Sequence, residues 1–160
     1  MSILSAQSIR KRVQSNSLKI EPFSEPARAH GRSYGLSSCG YDLRLAEDIL
    51  LWPFWGRLGS VIEYIEMPDD LRGKIENKST NARIFVNAAQ GTNIEPGWSG
   101  YLTVELTRFL PWPVRLKKGT PIVQVVFELL DEPTEMPYRG KYNGQSRGPQ
   151  AALFEADIRP

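Results

Sequence analysis

Apolar side chains along this chain recur mainly at every second position, in short runs set apart by clusters of Pro, Gly, Asp and Lys. A period of two puts alternate side chains on opposite faces of extended backbone, so these runs predict strands. They span Tyr41 to Leu45, Ser60 to Ile65, Gly73 to Asn77, Ile84 to Asn87, Leu102 to Thr107, Val114 to Leu116 and Ile122 to Leu129. Pro68-Asp69-Asp70, Glu95-Pro96-Gly97, Pro111-Trp112-Pro113 and Lys117-Lys118-Gly119 mark turns between them. One stretch has the helical period instead: Ala6, Ile9 and Val13 share a stripe, Ser5 can cap it, and Arg10, Lys11 and Arg12 face water. From about Glu21 to Gly40, Pro, Ser, Gly and Arg dominate without an apolar period, which reads as loop. After Pro133 the chain turns polar and Gly-rich, with too little apolar content to form a core element alone. The pattern predicts an all-β fold, a sandwich, jelly roll or distorted barrel, with a short N-terminal helix.

Composition narrows this to one domain over 1–160, because 160 residues at 41% hydrophobic can bury one sizeable core and hardly a second. Twenty Lys and Arg against eighteen Asp and Glu leave a net charge of +2, with no long run of either sign. That balance argues against a nucleic-acid coat or a polybasic membrane anchor. No window resembles a membrane span or a signal peptide, and the single cysteine, Cys39, cannot form an internal disulfide, so a cytoplasmic protein is expected. One cysteine and one histidine, His30, also cannot supply the ligands of a zinc-dependent nucleobase deaminase, so no metal site and no zinc are expected. His30 sits in a polar, loop-like stretch with no serine motif of the nucleophile-elbow type, which argues against triad hydrolysis.

Candidate chemistry begins on the strand Leu102 to Thr107. Alternation puts Leu102, Val104 and Leu106 on one face and Thr103, Glu105 and Thr107 on the other, so Glu105 belongs to a polar face. Taken alone, this is also the pattern of a surface glutamate paired with a cross-strand Lys or Arg. The segment Lys78-Ser79-Thr80-Asn81-Ala82-Arg83 packs two cations and two hydroxyls into six residues. As a helical turn it would put Ser79 and Arg83 on one face, with hydroxyls and amides suited to phosphate oxygens; it also reads as a capped surface turn. Residues 91–100 offer amides, an acid and an aromatic in a tight Gly/Pro turn, which is also the composition of an ordinary hairpin connection. The tail over 133–160 carries Tyr138, Lys141 and Gln145 on a Gly-rich strip that could close over a ligand or be a disordered terminus.

In order, these segments resemble the dCTP deaminase and dUTPase family, specifically its deaminase branch. The resemblance runs through Ile3-Leu4-Ser5 with Ile9, Ile20-Glu21-Pro22, Tyr41-Asp42-Leu43-Arg44-Leu45 and Lys78 to Arg83. It continues through Ile94-Glu95-Pro96-Gly97-Trp98-Ser99-Gly100, Leu102-Thr103-Val104-Glu105-Leu106 and Gly140-Lys141-Tyr142-Asn143-Gly144-Gln145. It implies a dUTPase-like distorted β-barrel or jelly roll, a homotrimer with active sites between subunits, and Mg²⁺ carried by the substrate triphosphate. It also implies zinc-free hydrolytic deamination of dCTP to dUTP and ammonia, feeding dUMP and dTTP synthesis, with dUTP or dTTP as further nucleotide ligands. Glu105 would be the proton shuttle, with Arg83 and Ser79 positioning the reacting groups. Lys78, Ser79, Thr80, Arg83, Gly91, Glu95, Thr103, Val104, Tyr138, Lys141 and Gln145 would hold the nucleotide.

Four features depart from the family pattern. The region between Leu45 and Glu63 is short and carries Leu51-Trp52-Pro53-Phe54-Trp55, a contact surface if exposed. Gly91 falls near a position where deaminases often carry Ala or Thr. Glu95 stands where many relatives have Asp, an acid that dUTPases use to activate the pyrophosphatase water. The interval from Tyr138 to Lys141 is short. The alternatives are a bifunctional enzyme giving dUMP, a dUTPase alone, and a β-clip module binding a protein through the Trp-Pro-Phe-Trp segment.

Overall fold

The computed structural model describes residues 2–91 and 93–154. Thr92 in the Gly/Pro turn and residues 155–160 of the tail lie outside them. In chain order the elements are β1 (Ser2–Ile3), α1 (Ala6–Gln14), β2 (Lys19–Glu21), β3 (Ala27–Ala29), β4 (Arg32–Ser37), β5 (Gly40–Arg44), β6 (Ile49–Leu51), β7 (Arg57–Glu66) and β8 (Leu71–Asn77). They continue with α2 (Ser79–Arg83), β9 (Val86–Asn87), β10 (Ser99–Arg108), β11 (Val114–Leu116) and β12 (Pro121–Leu129).

Every named strand pairing is antiparallel. β12 is the spine of the larger sheet: β8 runs along one edge, while β5 and then β1 share the other, and β4 and β3 continue outward from β5. The second sheet has the order β2-β7-β10-β9, and β6 pairs with β11 as a separate ribbon. Leu43, Val61, Ile65, Leu71, Leu106, Val123, Val125 and Phe127, each at most 1% exposed, belong to one core cluster drawn from both sheets.

Four expectations need correction. The presumed loop from Glu21 to Gly40 contains the β3–β4 hairpin, in which Ala29 pairs with Arg32 across His30 (φ 49°) and Gly31 (φ 72°). Two consecutive left-handed residues make the tight turn whose twist matches paired strands. The expected strand Ile84 to Asn87 shrinks to Val86–Asn87, because the Ile84 and Phe85 amides donate to Asn81 and Ala82 carbonyls and close α2. Ser5 occupies the cap position of α1, but its hydroxyl bonds the Ser8 hydroxyl instead of a helix amide. Arg12 does not face water; its guanidinium grips the Asp70 carboxylate with two bonds of 3.0 and 2.7 Å, pinning α1 to the β7–β8 turn.

One buried ion pair joins the sheets. Glu63 is fully buried and accepts from the Arg44 amide at 2.9 Å and from Arg44 Nε at 2.7 Å, and the guanidinium lies 4.4 Å from the Tyr34 ring centre. Burial pushes the Glu63 carboxyl above the usual carboxylate range, and the two Arg44 donors pull back against it. Here β7 leaves β10: Tyr101 pairs with Tyr64, yet Thr103 pairs with Ser60, while Val61 bridges to Leu45 of the other layer. Removing one member of a buried pair leaves the other uncompensated, so Glu63→Ala is expected to lower the unfolding free energy by about 3 kcal/mol. Denaturant titration checks this, and a loss within the scatter of surface substitutions would contradict a structural role for the pair.

Candidate active site

The outward face of β10 forms the floor of a cleft of about 490 Å³. Leu102, Thr103 and Glu105 come from the strand, Leu58 and Ile75 from β7 and β8, Gln90, Gly91, Asn93, Ile94, Glu95 and Trp98 from the preceding loop, and Tyr138, Tyr142, Gln145 and residues 150–152 from the tail. The floor is mainly apolar, through Leu58, Ile75, Ile94, Trp98 and Leu102, with polar groups set at intervals. That is the composition of a small-molecule site.

Glu105 is half-buried, and its carboxylate has no hydrogen-bond or ion-pair partner among the described residues. Its cross-strand neighbour on β7 is Leu58, not the Lys or Arg that a surface pairing would require. On the other side, Gln90 Nε2 donates to the Glu105 carbonyl at 3.2 Å and to Thr107 Oγ1 at 3.0 Å. This tether carries the next residue over the carboxylate: a Cβ on Gly91 would stand 3.0 Å from Glu105 Oε2. A partnerless carboxylate under a glycine, in a cleft with apolar walls, is equipped to take a proton from a bound molecule and return it.

The tail forms a wall of the cleft. Tyr101 N donates to Gln145 O at 3.0 Å, Gly144 N to Ser99 O at 2.8 Å, and Trp98 Nε1 to Tyr142 O at 2.6 Å. Asn143 Oδ1 accepts from Ser99 N at 2.8 Å, and Gln150 N donates to Thr103 Oγ1 at 3.0 Å. Gly97 (φ 77°) and Gly100 (φ 140°) allow this close seating, since a Cβ on either would lie 2.6 Å from Pro137 Cβ or Gln145 N. Gln145 is 9% exposed and its Oε1 lacks a partner among the described residues, so the cleft wall contains a buried acceptor that none of them uses.

The sequence profile of the dCTP deaminase-like family matches residues 56–130. A dCTP deaminase from Acidobacterium capsulatum is 34% identical over 180 residues, covering 91% of this chain and 96% of the relative. The chain belongs to the dCTP deaminase family. A relative from Aquifex aeolicus, named as a dUMP-forming dCTP deaminase, is 30% identical and covers 89% of this chain and 90% of its own. The fold is dUTPase-like. It matches the crystal structure of the 2'-deoxycytidine 5'-triphosphate deaminase from Agrobacterium tumefaciens with a TM-score of 0.63, 18% identity, and coverage of 79% of this chain and 47% of that one. It also matches a dUTPase from phage phi11 of S. aureus, described with a structural Mg(II) ion, with a TM-score of 0.57, 15% identity, and coverage of 79% and 99%.

Of the residues that the family resemblance singles out, Glu105, Gly91, Glu95, Thr103, Tyr138 and Gln145 line one cleft. Val104 does not; alternation turns its side chain into the core, where it is 1% exposed. Ser79, Thr80 and Arg83 are exposed on α2, outside the cleft lining. The Lys78 ammonium is held by buried Asp42, whose other oxygen accepts from Gln124 at 3.0 Å, so this lysine serves a buried carboxylate instead of facing solvent. Lys141 lies beside the Tyr142 ring, 5.6 Å from its centre, and is not part of the lining. Leu102, expected in the core with Val104 and Leu106, is half-buried in the cleft beside the point where β7 leaves β10.

Gln90, Leu58, Trp98 and Tyr142 were not anticipated as site residues. Gln90 acts through a backbone carbonyl and leaves no mark in a pattern of side-chain types. Trp98 had a usable signal, an aromatic in a tight Gly/Pro turn beside a polar-faced strand. Because a methyl on Gly100 collides with Gln145 N, Gly100→Ala should unseat the tail. Hydrogen exchange at the Tyr101 and Gly144 amides is expected to accelerate by about tenfold or more while β12 amides stay protected; unchanged exchange would show that the tail does not depend on this approach.

Proposed function

We propose that this protein is a hydrolase that removes the 4-amino group of dCTP, using one water and giving dUTP and ammonia. The observation that carries this is the Glu105 carboxylate, without a partner among the described residues and roofed by Gly91 in a cleft of small-molecule-site composition. Glu105 takes a proton from water, the resulting hydroxide adds to C4 of the cytosine ring, and the acid returns the proton toward N3 and the departing amine. One carboxylate shuttles both protons, and no zinc is required. Gln90 and Gly91 hold Glu105 in place, and Gln145 Oε1 offers an acceptor to the nucleotide. Thr103 and Tyr138 line the same wall, and the tail beyond Gly144 closes the mouth. The curated relatives named as dCTP deaminases support the substrate.

Among the described residues the lining contains two carboxylates, Glu95 and Glu105, and no Lys or Arg. A triphosphate needs cations, and among the family's site residues Arg83 is exposed on α2 without an ion-pair partner among the described residues. We therefore read the working enzyme as a homotrimer in which α2 of a neighbouring copy brings Ser79, Thr80 and Arg83 to the cleft. In this reading Lys78 and Val104 support the site without touching the nucleotide. Mg²⁺ arrives on the phosphates and offsets their charge, and Glu95 on the rim is a hard oxygen donor of the kind Mg²⁺ accepts. dUTP and dTTP fit the same nucleotide site, and with Cys39 unpaired the reaction belongs in the cytoplasm. No helix among the described residues is long and apolar enough to cross a membrane.

A second reading, a bifunctional enzyme going on to dUMP, is favoured by Glu95 in the same cleft and by the dUMP-forming relative. Incubation with dCTP and Mg²⁺, with the nucleotides resolved by chromatography, separates the two: accumulating dUTP is expected, while dUMP with pyrophosphate supports the second reading. No turnover would overturn both and leave the protein-binding module. Glu105→Gln keeps the shape and removes the base, so turnover should fall by about a thousandfold or more while calorimetry shows dCTP binding close to wild type. Parallel loss of binding and turnover would count against a proton-shuttle role.

A further inference from the structure

The helix α2 buries no apolar side chain. Ser79, Thr80, Ala82 and Arg83 are exposed, and the residue it turns inward is an asparagine, Asn81, at 0% exposure. A helix of 5 residues is too short to persist on its own backbone bonds, and this one has no apolar stripe to hold it against the core. Its placement therefore depends on polar contacts.

Asn81 docks where β12 is irregular. The pairing of β12 with β5 shifts register between Pro121 and Val123, and pairing with β8 starts at Val123, opposite Asn77. Across that shift Asn81 Nδ2 donates to Pro121 O at 3.2 Å and to Ile122 O at 2.8 Å. Asn81 Oδ1 is buried and has no partner among the described residues. An unmatched buried acceptor is a cost that a leucine of the same branching would avoid, so what the asparagine contributes is its two directional donor bonds. The flanks of the helix are tied separately: Lys78 to Asp42, Asn77 Nδ2 to Val86 O at 3.0 Å, and the Ile84 carbonyl to Arg108. Those ties fix the ends of the segment, and Asn81 reaches from its middle.

We infer that Asn81 is a positioning residue, which sets the rotation of α2 and so the direction in which Ser79 and Arg83 are presented. At 3.6 residues per turn, Asn81 stands about 200° round the axis from each of them, so the anchored face and the presenting face are opposite sides of one turn. Apolar burial has no preferred direction and would let so short a helix roll. Two hydrogen bonds to fixed strand carbonyls do not. The role of Ser79 and Arg83 in deamination rests on the proposed function, whereas the anchoring of α2 does not. Small misplacements of a group that orients a reacting molecule are costly in rate, so the effect of losing this anchor is read in turnover of dCTP.

Asn81→Leu removes both donors, and Asn81→Ser keeps one on a shorter arm. At a temperature where β12 amide protection shows each variant folded, kcat/KM for dCTP is expected to fall by about tenfold or more in Asn81→Leu and by less in Asn81→Ser. Amides of Ala82, Ile84 and Phe85, which donate to Lys78, Asn81 and Ala82 carbonyls, should exchange about tenfold faster or more in Asn81→Leu. A merely structural role would lower the melting midpoint and leave kcat/KM of the folded protein unchanged, and that result would overturn the inference. So would a serine variant no better than the leucine one, or loss of the whole fold in both. A wild type that turns over no dCTP would sink the proposed function instead; exchange then decides the anchoring alone, with unchanged α2 amides overturning it.

Discussion

The departure of β7 from β10, fixed by the buried Glu63–Arg44 pair, is the constraint on which the site geometry depends. Had the register of Tyr101 with Tyr64 continued, Glu105 would face Ser60, a hydroxyl able to donate to it. The two-residue shift at Val61 to Glu63 puts Leu58 opposite Glu105 instead. Ser60 is then turned to Glu47, whose carboxylate accepts from its amide and hydroxyl at 2.5 and 2.9 Å. A polar group that could have satisfied the Glu105 carboxylate is thus bound elsewhere, and an apolar one replaces it. The cost of burying an ion pair between the sheets is offset by well-made hydrogen bonds there, and its consequence is a Glu105 carboxylate without a hydrogen-bond partner among the described residues.

A second constraint acts from the tail. Gly97 and Gly100 allow backbone to approach backbone, so the segment from Pro137 to Gln145 is seated on β10 by main-chain bonds and by one asparagine, Asn143, that bridges Ser99 and the Tyr138 carbonyl. A wall built this way is preorganised, and a ligand need not supply the ordering entropy of that stretch. From Ser146 to Phe154 the seating is lighter. There the contacts are fewer: Arg147 over the Tyr101 ring, the Gln150 amide on Thr103, and the Leu153 amide on the Tyr142 hydroxyl.

Much of this architecture was legible in the sequence because half-buried antiparallel strands alternate. The period of two located β5, β7, β8, β10, β11 and β12, and it put Glu105 on the correct face before any contact was known. It failed where the physics differs. β3 is the sheet edge and β4 the strand beside it, Arg28 and Ser33 face solvent there, and the His30-Gly31 turn that makes them a hairpin is a conformational signal, not an apolar one. Leu102 was misplaced because simple alternation does not anticipate a register shift. Lys78 was read as a ligand for phosphate because its partner, Asp42, is remote in sequence, and a composition of cations and hydroxyls looks the same whether it serves a ligand or a buried acid. The resemblance supplied what periodicity could not, the expectation that Gly91, Glu95, Thr103, Glu105, Tyr138 and Gln145, far apart in sequence, line one cleft.

What the fold separates is as informative as what it joins. Glu95 and Glu105 share one cleft, while Ser79, Thr80 and Arg83 are presented on α2, past the end of β10, where β9 begins. A nucleotide triphosphate brought to two carboxylates without countercharge would be repelled, and solvent screening over a few ångströms is too weak to cancel that within a cleft with apolar walls. Arg108 makes the separation coherent. Its guanidinium binds the carbonyl of Ile84, the residue that closes α2, and also the carbonyl of Trp112 between β10 and β11. One buried side chain thus links the end of the helix that carries Arg83 to the connection between β10 and β11.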